Sequence, residues 1–368
     1  MRILISGHNG FLGRHLQRGL LTINHNYSII FLTKSDFQSV NLNNKVNHND
    51  IIFHFAGVNR DISDKVVVEK NELINKTLFN TLEKIKFSGK LFFTSSIQEN
   101  LNTQYGIAKK DARINFSNQS KELGYVFHGL ISPNLFGPFC KPDYNSFIAT
   151  FCFNINNSKE IKIIKDNKIP LIYVNDFISK LLNSIESDNE INLNDITHKK
   201  TVSEVLLLLK KFNEIYLQKG NYPNLESHFE LNLFNTFMSY IDIKSFFPKK
   251  YKVHEDIRGS FTELIRTNSK GQSSVSITQK NETRGNHYHT RKVERFSVIK
   301  GKALIKIREV LSSELIEFKL SGKTPMYIDI PIWNTHNIKN IGDEELITMF
   351  WINEHYEDKT ADTFIENV

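Results

Sequence analysis

The sequence has little cysteine and no long apolar run, and both absences narrow the class of protein. Only two cysteines, Cys140 and Cys152, occur among 368 residues, without CxxC or zinc-ribbon spacing. A disulfide framework is therefore not expected, and a reducing compartment fits. The opening MRILISGHNGF turns polar too soon for a signal peptide. No run reaches the roughly 18 apolar residues that span a bilayer. We expect a cytoplasmic protein without membrane insertion.

Clustered positive charge is also absent, although the formal net charge is +7. Short groups such as Lys199-Lys200 and Lys249-Lys250 are typical of a solvated surface, and no arginine-lysine block indicates nucleic-acid binding. A basic excess does suit anionic substrates such as nucleotide phosphates. The length allows two or three domains.

The chain divides into two regions of different pattern. In the first, short apolar runs alternate with helix-compatible segments such as 105–123, which predicts a parallel sheet covered on both faces. The second is rich in short strand-like pieces, which is typical of an all-β sandwich or barrel. We predict an α/β domain over 1–247, whose substrate-binding portion is about 145–240, and an all-β domain over 248–368.

A glycine-rich turn, GHNGFLG, follows the first apolar run and opens a helix-compatible segment. Gly7 permits a tight turn, Gly10 lets a pyrophosphate approach the backbone, and Gly13 allows helix and strand to pack closely. The diphosphate of a dinucleotide would lie at the helix N-terminus, where free amides and the dipole favour negative charge. The predicted cofactor-binding residues of this turn are Gly7, Asn9, Gly10, Phe11 and Gly13.

The second apolar run, SIIFLTK, ends without the acidic residue that binds the ribose 2′-hydroxyl of NAD. Lys34 stands there instead, and Arg14 follows the third glycine. Cations at these points can meet a 2′-phosphate, which favours NADP(H) over NAD. Two ordinary surface cations are an equally open interpretation.

Tyr105 and Lys109, in YGIAK, are four residues apart and share a face if the segment is helical. A nearby ammonium lowers the pKa of a phenol, which makes Tyr105 a usable proton donor to a carbonyl that is being reduced. A hydroxyl from Ser95 or Ser96, at the end of KLFFTSS, can hold the carbonyl oxygen.

This constellation resembles the extended short-chain dehydrogenase/reductase family over residues 1–240. The resemblance implies that Tyr105 is the general acid, that Lys109 bridges the cofactor ribose, and that Ser96 polarises the carbonyl, with Ser95 as the near alternative.

Two further segments carry the same resemblance. Ala56 and Gly57, in FHFAG, are similar to the turn that lines the cofactor, and Pro133, in SPNLFGP, is similar to the segment that approaches the nicotinamide. The family often has YxxSK, whereas here Ala108 replaces that serine.

The stretch GNHYHTRKVE concentrates potential metal ligands. His287 and His289 alternate along a predicted strand, so both imidazoles point to one face, and Glu294 can return to that face after a turn. His336, in PIWNTHNIKN, lies on a later predicted strand. Three imidazoles and one carboxylate can surround a divalent metal and leave one or two positions open. Chance spacing around an empty barrel is the alternative.

The spacing around these ligands resembles both motif halves of the cupin family over residues 252–368. Gly285, Pro331 and Asn340 stand at their expected places, whereas Trp333 stands where the cupin pattern commonly has glycine. The resemblance implies a double-stranded β-helix, or jelly roll, with a bound metal, and zinc is the metal that we favour.

The reductase–cupin order, with AGVNR (56–60), CKPDYNSFIATFC (140–152) and DIRGSFTE (256–263), resembles a family of bifunctional capsular-polysaccharide enzymes. The resemblance implies a UDP-linked 4-keto-6-deoxy-N-acetylhexosamine as substrate. The cupin domain would epimerise C3 of a UDP-2-acetamido-2,6-dideoxy-4-hexulose. The reductase domain would reduce C4 with NADPH to UDP-N-acetyl-L-talosamine, on the route to UDP-N-acetyl-L-fucosamine. A homodimer through the cupin domain is also expected.

Several alternatives stay open. The base of the epimerase is not assigned among His289, His336, Tyr288 and Glu294, and the metal can be catalytic or structural. An NADPH-dependent 4-ketosugar reductase with a non-catalytic, dimerising cupin is compatible with the sequence. So is a metal-dependent cupin oxygenase with a regulatory NADP-binding domain.

Overall fold

The computed structural model describes residues 1–23, 26–38, 42–101, 103–251, 253–256, 259–262, 271–354 and 361–368, with the backbone alone at 253–256, 259–262 and 272. The helices are α1 (Phe11–Leu20), α2 (Lys34–Gln38), α3 (Leu42–Lys45), α4 (Asp64–Lys84), α5 (Gln104–Leu123), α6 (Phe147–Asn156), α7 (Val174–Asn183), α8 (Val202–Phe212), α9 (His228–Met238) and α10 (Ile243–Phe246). Two 3₁₀ turns and one π-helical turn add Ile97–Asn100, Asn194–Ile196 and Asn213–Gln218.

The strands of the first half are β1 (Arg2–Ser6), β2 (Ser28–Leu32), β3 (Ile51–His54), β4 (Lys90–Ser96), β5 (Val126–Ser132), β6 (Asn134–Phe136), β7 (Lys168–Tyr173) and β8 (His198–Thr201). Those of the second half are β9 (Lys249–Lys250), β10 (Val253–Asp256), β11 (Gly259–Thr262), β12 (Gln272–Thr278), β13 (Thr283–Tyr288), β14 (Glu294–Lys300), β15 (Lys302–Glu309), β16 (Leu315–Ser321), β17 (Met326–Ile330), β18 (Asn334–Asn340), β19 (Leu346–Ile352) and β20 (Phe364–Ile365). Of the DIRGSFTE motif, positions 257, 258 and 263 lie outside the described residues.

The chain forms two compact units. The first comprises Met1–Phe136 and Asn167–Thr201, and the second comprises Gly137–Asp166 and Val202–Val368. The second unit therefore groups several helices with the β domain. The domain boundary that we drew between residues 247 and 248, from the change in sequence pattern, stays a prediction.

Five parallel strands, in the order β2-β1-β3-β4-β5, form the main sheet of the first unit. Side chains alternate along each strand, so Ile3 and Ile5 pack on one face with Phe177 of α7. Leu4 packs on the opposite face with Phe116 of α5. Helices α1 and α7 cover one face of the sheet, and α4 and α5 cover the other. The predicted Rossmann-like, doubly wound α/β fold is confirmed.

Two antiparallel five-stranded sheets form the β domain of the second unit. Their orders are β12-β19-β14-β17-β9 and β16-β15-β18-β13-β20. Apolar side chains from both sheets meet in one core, which includes Phe296 and Ile328 from the first sheet and Ile305 and Ile338 from the second. This is the cupin-like β domain that the sequence predicts. Among the helices that the structure describes, none combines the length and apolarity needed to cross a bilayer.

A buried ion pair joins the β domain to helical residues of the same unit. Arg295 of β14 donates two hydrogen bonds to the carboxylate of Asp329 in β17, at 2.7 and 2.8 Å, and both side chains are almost fully buried. Tyr216, in the π-helical turn, also donates to Asp329, and Arg295 donates to the carbonyl of Gly220 at 3.3 Å. The guanidinium carbon lies 3.8 Å from the ring centroid of Tyr327. These contacts tie the π-helical turn to β14 and β17.

Replacing Asp329 with alanine should destabilise the protein by about 3–5 kcal/mol, because the change leaves a buried guanidinium without its counter-charge. Urea unfolding followed by circular dichroism would measure the loss. As a matched control, Asp343→Ala removes an exposed carboxylate of the same domain, which pairs with Lys280 at 2.7 Å, and should barely move the transition. Equal shifts for the two variants would contradict this account of the ion pair.

Candidate functional site

The glycine turn lies between the end of β1 and the start of α1. Gly7 has a φ of +68°, and a Cβ at this position would lie 2.8 Å from the amide nitrogen of Ala56. A Cβ on Gly13 would lie 2.3 Å from the carbonyl oxygen of Gly7, so the helix can approach the turn only without a side chain there. Gly10 donates its amide to the same carbonyl at 2.9 Å. The turn therefore has the bare backbone that a dinucleotide diphosphate requires.

A chain of hydrogen bonds holds the neighbouring segment at the end of β3. The amide of Ala56 donates to the Ser6 hydroxyl at 3.1 Å, and that hydroxyl lies 2.8 Å from Nδ1 of His54. Nε2 of His54 lies 3.1 Å from the amide oxygen of Asn75, which puts the ring proton on Nε2. Burial lowers the pKa of His54 to about 4, so this ring is neutral near pH 7. The histidine is thus a neutral support for the turn.

Asn71 of α4 fixes the turn that follows β3. Its amide oxygen accepts the backbone N–H of Val58 at 3.1 Å, and its nitrogen donates to the carbonyl of Val58 at 2.8 Å. A Cβ on Gly57 would lie 3.1 Å from the Asn71 oxygen and 3.4 Å from Nζ of Lys109. Gly57 therefore lets the turn approach Asn71 and the Lys109 ammonium closely without a side chain between them.

Tyr105 and Lys109 lie one turn apart near the start of α5, as the spacing predicts. Nζ of Lys109 is buried and donates to the carbonyl of Thr94 at 3.2 Å. Tyr105 is half-buried, and its hydroxyl donates to the amide oxygen of Asn59 at 2.9 Å. The phenol and the ammonium both face residues 57–59. A ligand in that turn would meet both groups.

Ser95 and Ser96 have different partners. Ser95 is buried and donates to the carboxylate of Glu99 at 2.6 Å, and Glu99 is in turn paired with Arg113 at 2.7 Å. Ser96 is half-buried and accepts the amide of Gln98 at 3.2 Å, a role in which the hydroxyl keeps its own proton for a second partner. This difference favours Ser96 as the donor to a carbonyl.

The four predicted metal ligands converge in the β domain. His287 lies in β13, His289 directly follows that strand, Glu294 begins β14, and His336 lies in β18. One ligand atom from each lies within 4.8 Å of the others. Oε2 of Glu294 lies 2.8 Å from Nε2 of His336 and 3.3 Å from Nε2 of His289.

A bulge in β13 directs the first of these ligands. Gly285 and Asn286 have φ values of +101° and +59°, and the pairing with β18 shifts register between Gly285 and His287. A Cβ on Gly285 would lie 2.8 Å from the carbonyl oxygen of His336. The bulge therefore needs glycine, and beyond it the ring of His287 lies 4.7 Å from the ring of His336.

Two backbone carbonyls fix the ring orientation of His289 and His336. Nδ1 of His289 lies 2.5 Å from the carbonyl of Asp362, and Nδ1 of His336 lies 3.0 Å from that of Asn334. Since a carbonyl can only accept, each Nδ1 carries the proton and each Nε2 presents a lone pair to the cluster. Within the described part of the chain, these two nitrogens and Oε2 of Glu294 are buried without a well-aligned hydrogen bond. This donor set fits a divalent metal such as zinc.

Comparisons with known proteins find matches to both regions of the chain. Residues 3–196 match the NAD dependent epimerase/dehydratase family, and residues 254–364 match the polysaccharide biosynthesis C-terminal domain. A Pseudomonas aeruginosa protein named UDP-2-acetamido-2,6-beta-L-arabino-hexul-4-ose reductase is 30% identical over 99% of this chain and 98% of its own length. The crystal structure of the capsular polysaccharide assembling protein CapF from Staphylococcus aureus matches over 100% of both chains, with 32% identity and a TM-score of 0.61.

The chain belongs to the CapF family of NAD dependent epimerase/dehydratase proteins. A more distant likeness extends to a UDP-N-acetylglucosamine 4-epimerase from Methanobrevibacter ruminantium M1. That match covers 65% of this chain and 97% of the epimerase, with 19% identity and a TM-score of 0.53, and it shows the fold alone.

Two residues predicted to contact the cofactor of this CapF-family protein lie beside β2 and β5. Lys34 is exposed and begins α2, and Pro133 is half-buried directly after β5. Asp36, the first carboxylate after β2, is buried and accepts the amide of Thr33 at 2.7 Å and the ammonium of Lys45 at 2.9 Å. The carboxylate of Asp36 is therefore occupied by Thr33 and Lys45.

The backbone at Trp333 explains why the cupin pattern commonly has glycine at this position. Its φ is +60°, in the left-handed region that favours glycine. Its amide donates to the carbonyl of His289 at 2.8 Å, and its buried ring stacks on Tyr288 at a centroid distance of 5.6 Å. The CapF-family chain thus has a strained tryptophan packed against Tyr288, which lies between the predicted ligands His287 and His289.

Several residues that support the two sites in this CapF-family chain were not identified from the sequence. Asn59 lies within AGVNR, a motif that we used only for the resemblance. Asn71 is one of many polar residues on a long helix, and Glu99 and Asp362 are carboxylates outside the regular helices and strands. None of the last three has a spacing that distinguishes it from a surface residue.

Proposed function

We propose that this member of the CapF family is a bifunctional nucleotide-sugar enzyme in capsular or O-antigen polysaccharide precursor synthesis. The β domain epimerises C3 of a UDP-2-acetamido-2,6-dideoxy-4-hexulose, and the α/β unit reduces the C4 ketone with NADPH. The product is UDP-N-acetyl-L-talosamine, on the route to UDP-N-acetyl-L-fucosamine. The observation that carries the proposal is the pair of Tyr105 and Lys109 facing the turn at 57–59, in a chain that also gathers four metal ligands.

Each functional residue around that turn has a proposed role in the reduction step. NADPH, when bound, supplies the hydride. The glycine turn would receive its diphosphate, and Lys109 would hold the ribose and keep a positive charge near the phenol. Tyr105 passes its proton to the C4 oxygen as the alkoxide forms, while Ser96 donates a hydrogen bond to the same oxygen.

The rate of this reduction should depend on pH through Lys109. Burial lowers the pKa of Lys109 to about 8, so the side chain is charged below that pH and neutral above it. Because the charge supports the phenol as acid, kcat/KM should fall as the pH rises through about 8. The Lys109→Arg variant keeps a positive charge at all these pH values. Its kcat/KM should be lower than that of the wild type but should not fall near pH 8. The same fall in the arginine variant would assign the titration to another group.

The epimerisation step uses the acidity that the C4 ketone confers on the neighbouring C3–H. A base removes this proton to form an enediolate, and a proton returns to the opposite face. Zinc, when bound by His287, His289, Glu294 and His336, would supply positive charge at the pocket. Because these side chains are its ligands, we assign proton transfer to a residue outside this set.

We further propose a homodimer formed through the β domain. Among the strands described, β12 is hydrogen-bonded only to β19, so it is an edge of its sheet. Val275 and Ile277 on this strand are 66% and 51% exposed, which is unusual for a β-branched pair on one face. Contact with a second copy would cover them.

Isotope labelling tests the proposal directly. The purified protein is incubated with a UDP-4-keto-6-deoxy-N-acetylhexosamine and NADPH in deuterated water. We expect NADPH oxidation together with deuterium at C3 of the product. NADPH oxidation without label would support a reductase whose β domain only dimerises it. Iron content with oxygen consumption, and no sugar reduction, would support the oxygenase alternative.

A further inference from the structure

The segment 361–368, which we call the C-terminal strap, lies along the strand that carries the first metal ligand. Its strand β20 pairs with β13, where Ile365 lies opposite His287. Phe364 stacks on Tyr288 with ring centroids 5.4 Å apart and an interplanar angle of 22°. These contacts bring the end of the sequence next to the metal cluster.

The far end of the C-terminal strap is fastened separately. Arg308 of β15 pairs with the carboxylate of Glu366 at 2.6 Å, and it also donates to the carbonyl of Asn367 at 3.0 Å. Thr335 of β18 donates its hydroxyl to the carbonyl of Glu366 at 2.6 Å. The far end can therefore be loosened without changing the contacts around His289.

Asp362 is the point where the strap meets the cluster. Its backbone carbonyl accepts from Nδ1 of His289. Its carboxylate is completely buried and accepts the amides of Thr290 and Arg291, at 3.2 and 3.0 Å, and the Thr290 hydroxyl at 2.6 Å. Asp362 thus forms hydrogen bonds with His289 through its main chain and with residues 290–291 through its side chain.

The backbone of Asp362 has a φ of +47°, a conformation that costs energy for most residues but that Asp and Asn tolerate. Such a conformation persists only where surrounding contacts hold it. Here the hydrogen bonds of the carboxylate with Thr290 and Arg291 do so, together with the ammonium of Lys292, which donates to the neighbouring carbonyl of Ala361. The position of the carbonyl that faces His289 therefore depends on the side chain of the same residue.

We propose that Asp362 is a positioning residue for the metal centre. Its carboxylate anchors the strap to residues 290–291, and this anchor keeps the Asp362 carbonyl on Nδ1 of His289. The carbonyl in turn keeps Nε2 unprotonated and directed at the other ligands. The inference rests on the proposed metal site, but it concerns metal affinity and not the sugar chemistry.

Zinc dissociation constants of the full-length protein test this role. Competition with a chromophoric chelator would compare the wild type with Asp362→Ala, Asp362→Gly and Asp362→Asn. Loss of an outer partner of a ligand histidine typically weakens metal binding about 10–100-fold, and we expect this for the alanine and glycine variants. Asparagine keeps the oxygen that accepts from Thr290 and the same backbone tolerance, but its NH2 group would face the amide of Arg291, so it should recover part of the affinity.

The variants separate the hydrogen bonds from the backbone strain. Glycine adopts a positive φ freely, so a loss of zinc affinity in Asp362→Gly must come from the missing carboxylate. Arg308→Ala is the matched control, because it removes contacts with the far end of the strap and with the carbonyls of Glu309 and Ser312, none of which involves Asp362 or His289. It should leave zinc affinity unchanged. Circular dichroism would verify that each variant is folded. If the alanine variant does not fold, the zinc affinities of the glycine and asparagine variants still test the role of the carboxylate.

The outcomes also separate this inference from the proposed function. Equal zinc affinity in the wild type and in Asp362→Gly would overturn the positioning role and leave the proposed function intact. So would a lower melting temperature with unchanged affinity, since that indicates a structural role alone. A wild type that binds no zinc would overturn both the inference and the metal assignment, whereas the NADPH assay judges the reductase independently.

Discussion

Tyr105→Phe should slow NADPH oxidation with the 4-ketosugar by about 10²–10⁴-fold, the usual contribution of a positioned general acid. The variant keeps the ring but loses the proton that the developing C4 alkoxide requires. The hydroxyl now donates to Asn59 at 2.9 Å, so the loss of one exchangeable contact on a half-buried side chain should leave the fold intact. The decrease should appear in kcat, measured from NADPH absorbance under saturating substrate.

A matched control is Tyr125→Phe, in the same compact unit. Its phenol is buried and donates to the carbonyl of Phe116 at 2.8 Å, so the change tests for a general effect of losing a buried phenolic hydrogen bond. We expect normal NADPH oxidation in this variant. Deuterium exchange at C3 should continue in both variants, because it belongs to the other domain. Unchanged NADPH oxidation in Tyr105→Phe would remove the reductase assignment.

His336→Ala should abolish deuterium exchange at C3 and stoichiometric zinc binding together. The His336 side chain is fully buried, and its Nε2 lies 2.8 Å from the carboxylate of Glu294, so alanine removes a central ligand and leaves a cavity. Zinc content by mass spectrometry and label at C3 by NMR would measure the two losses. His48→Ala removes an exposed histidine of the first unit and should change neither.

Metal removal from the wild type gives the complementary result. Chelation should stop C3 exchange, and added zinc should restore it in the wild type but not in His336→Ala. The metal-free protein should still oxidise NADPH with a ketosugar that already has the inverted C3 centre. Persistent label at C3 after chelation would show that the metal is not needed for proton transfer.

The sequence predicts those parts of the two sites that depend on spacing within one element. Tyr105 and Lys109 are four residues apart on a helix, so helical geometry alone puts them on one face. His287 lies in β13 and His289 directly follows it, and the two-residue period of a strand predicts that both side chains point to the same side. Even so, the bulge at Gly285, which sets the register with β18, was not foreseen.

The residues that support the sites could not be predicted, because their partners lie far away in sequence. Asp362 and His289 are separated by 73 positions, and Tyr216 and Asp329 by 113. An isolated aspartate has no periodicity that indicates burial, and only the packing of several strands shows which backbone amides it will meet. Compositional arguments place such residues on the surface by default.

The ion pair between Arg295 and Asp329 has a practical consequence for separating the two activities. A fragment that begins at residue 248 would retain both charges but lose the phenol of Tyr216 and the carbonyl of Gly220, and water would enter what had been a dry junction. Such a fragment should aggregate. A C-terminal half that starts at Val202 would keep every one of these groups, but the second unit also includes Gly137–Asp166, so an intact second unit needs that segment as well.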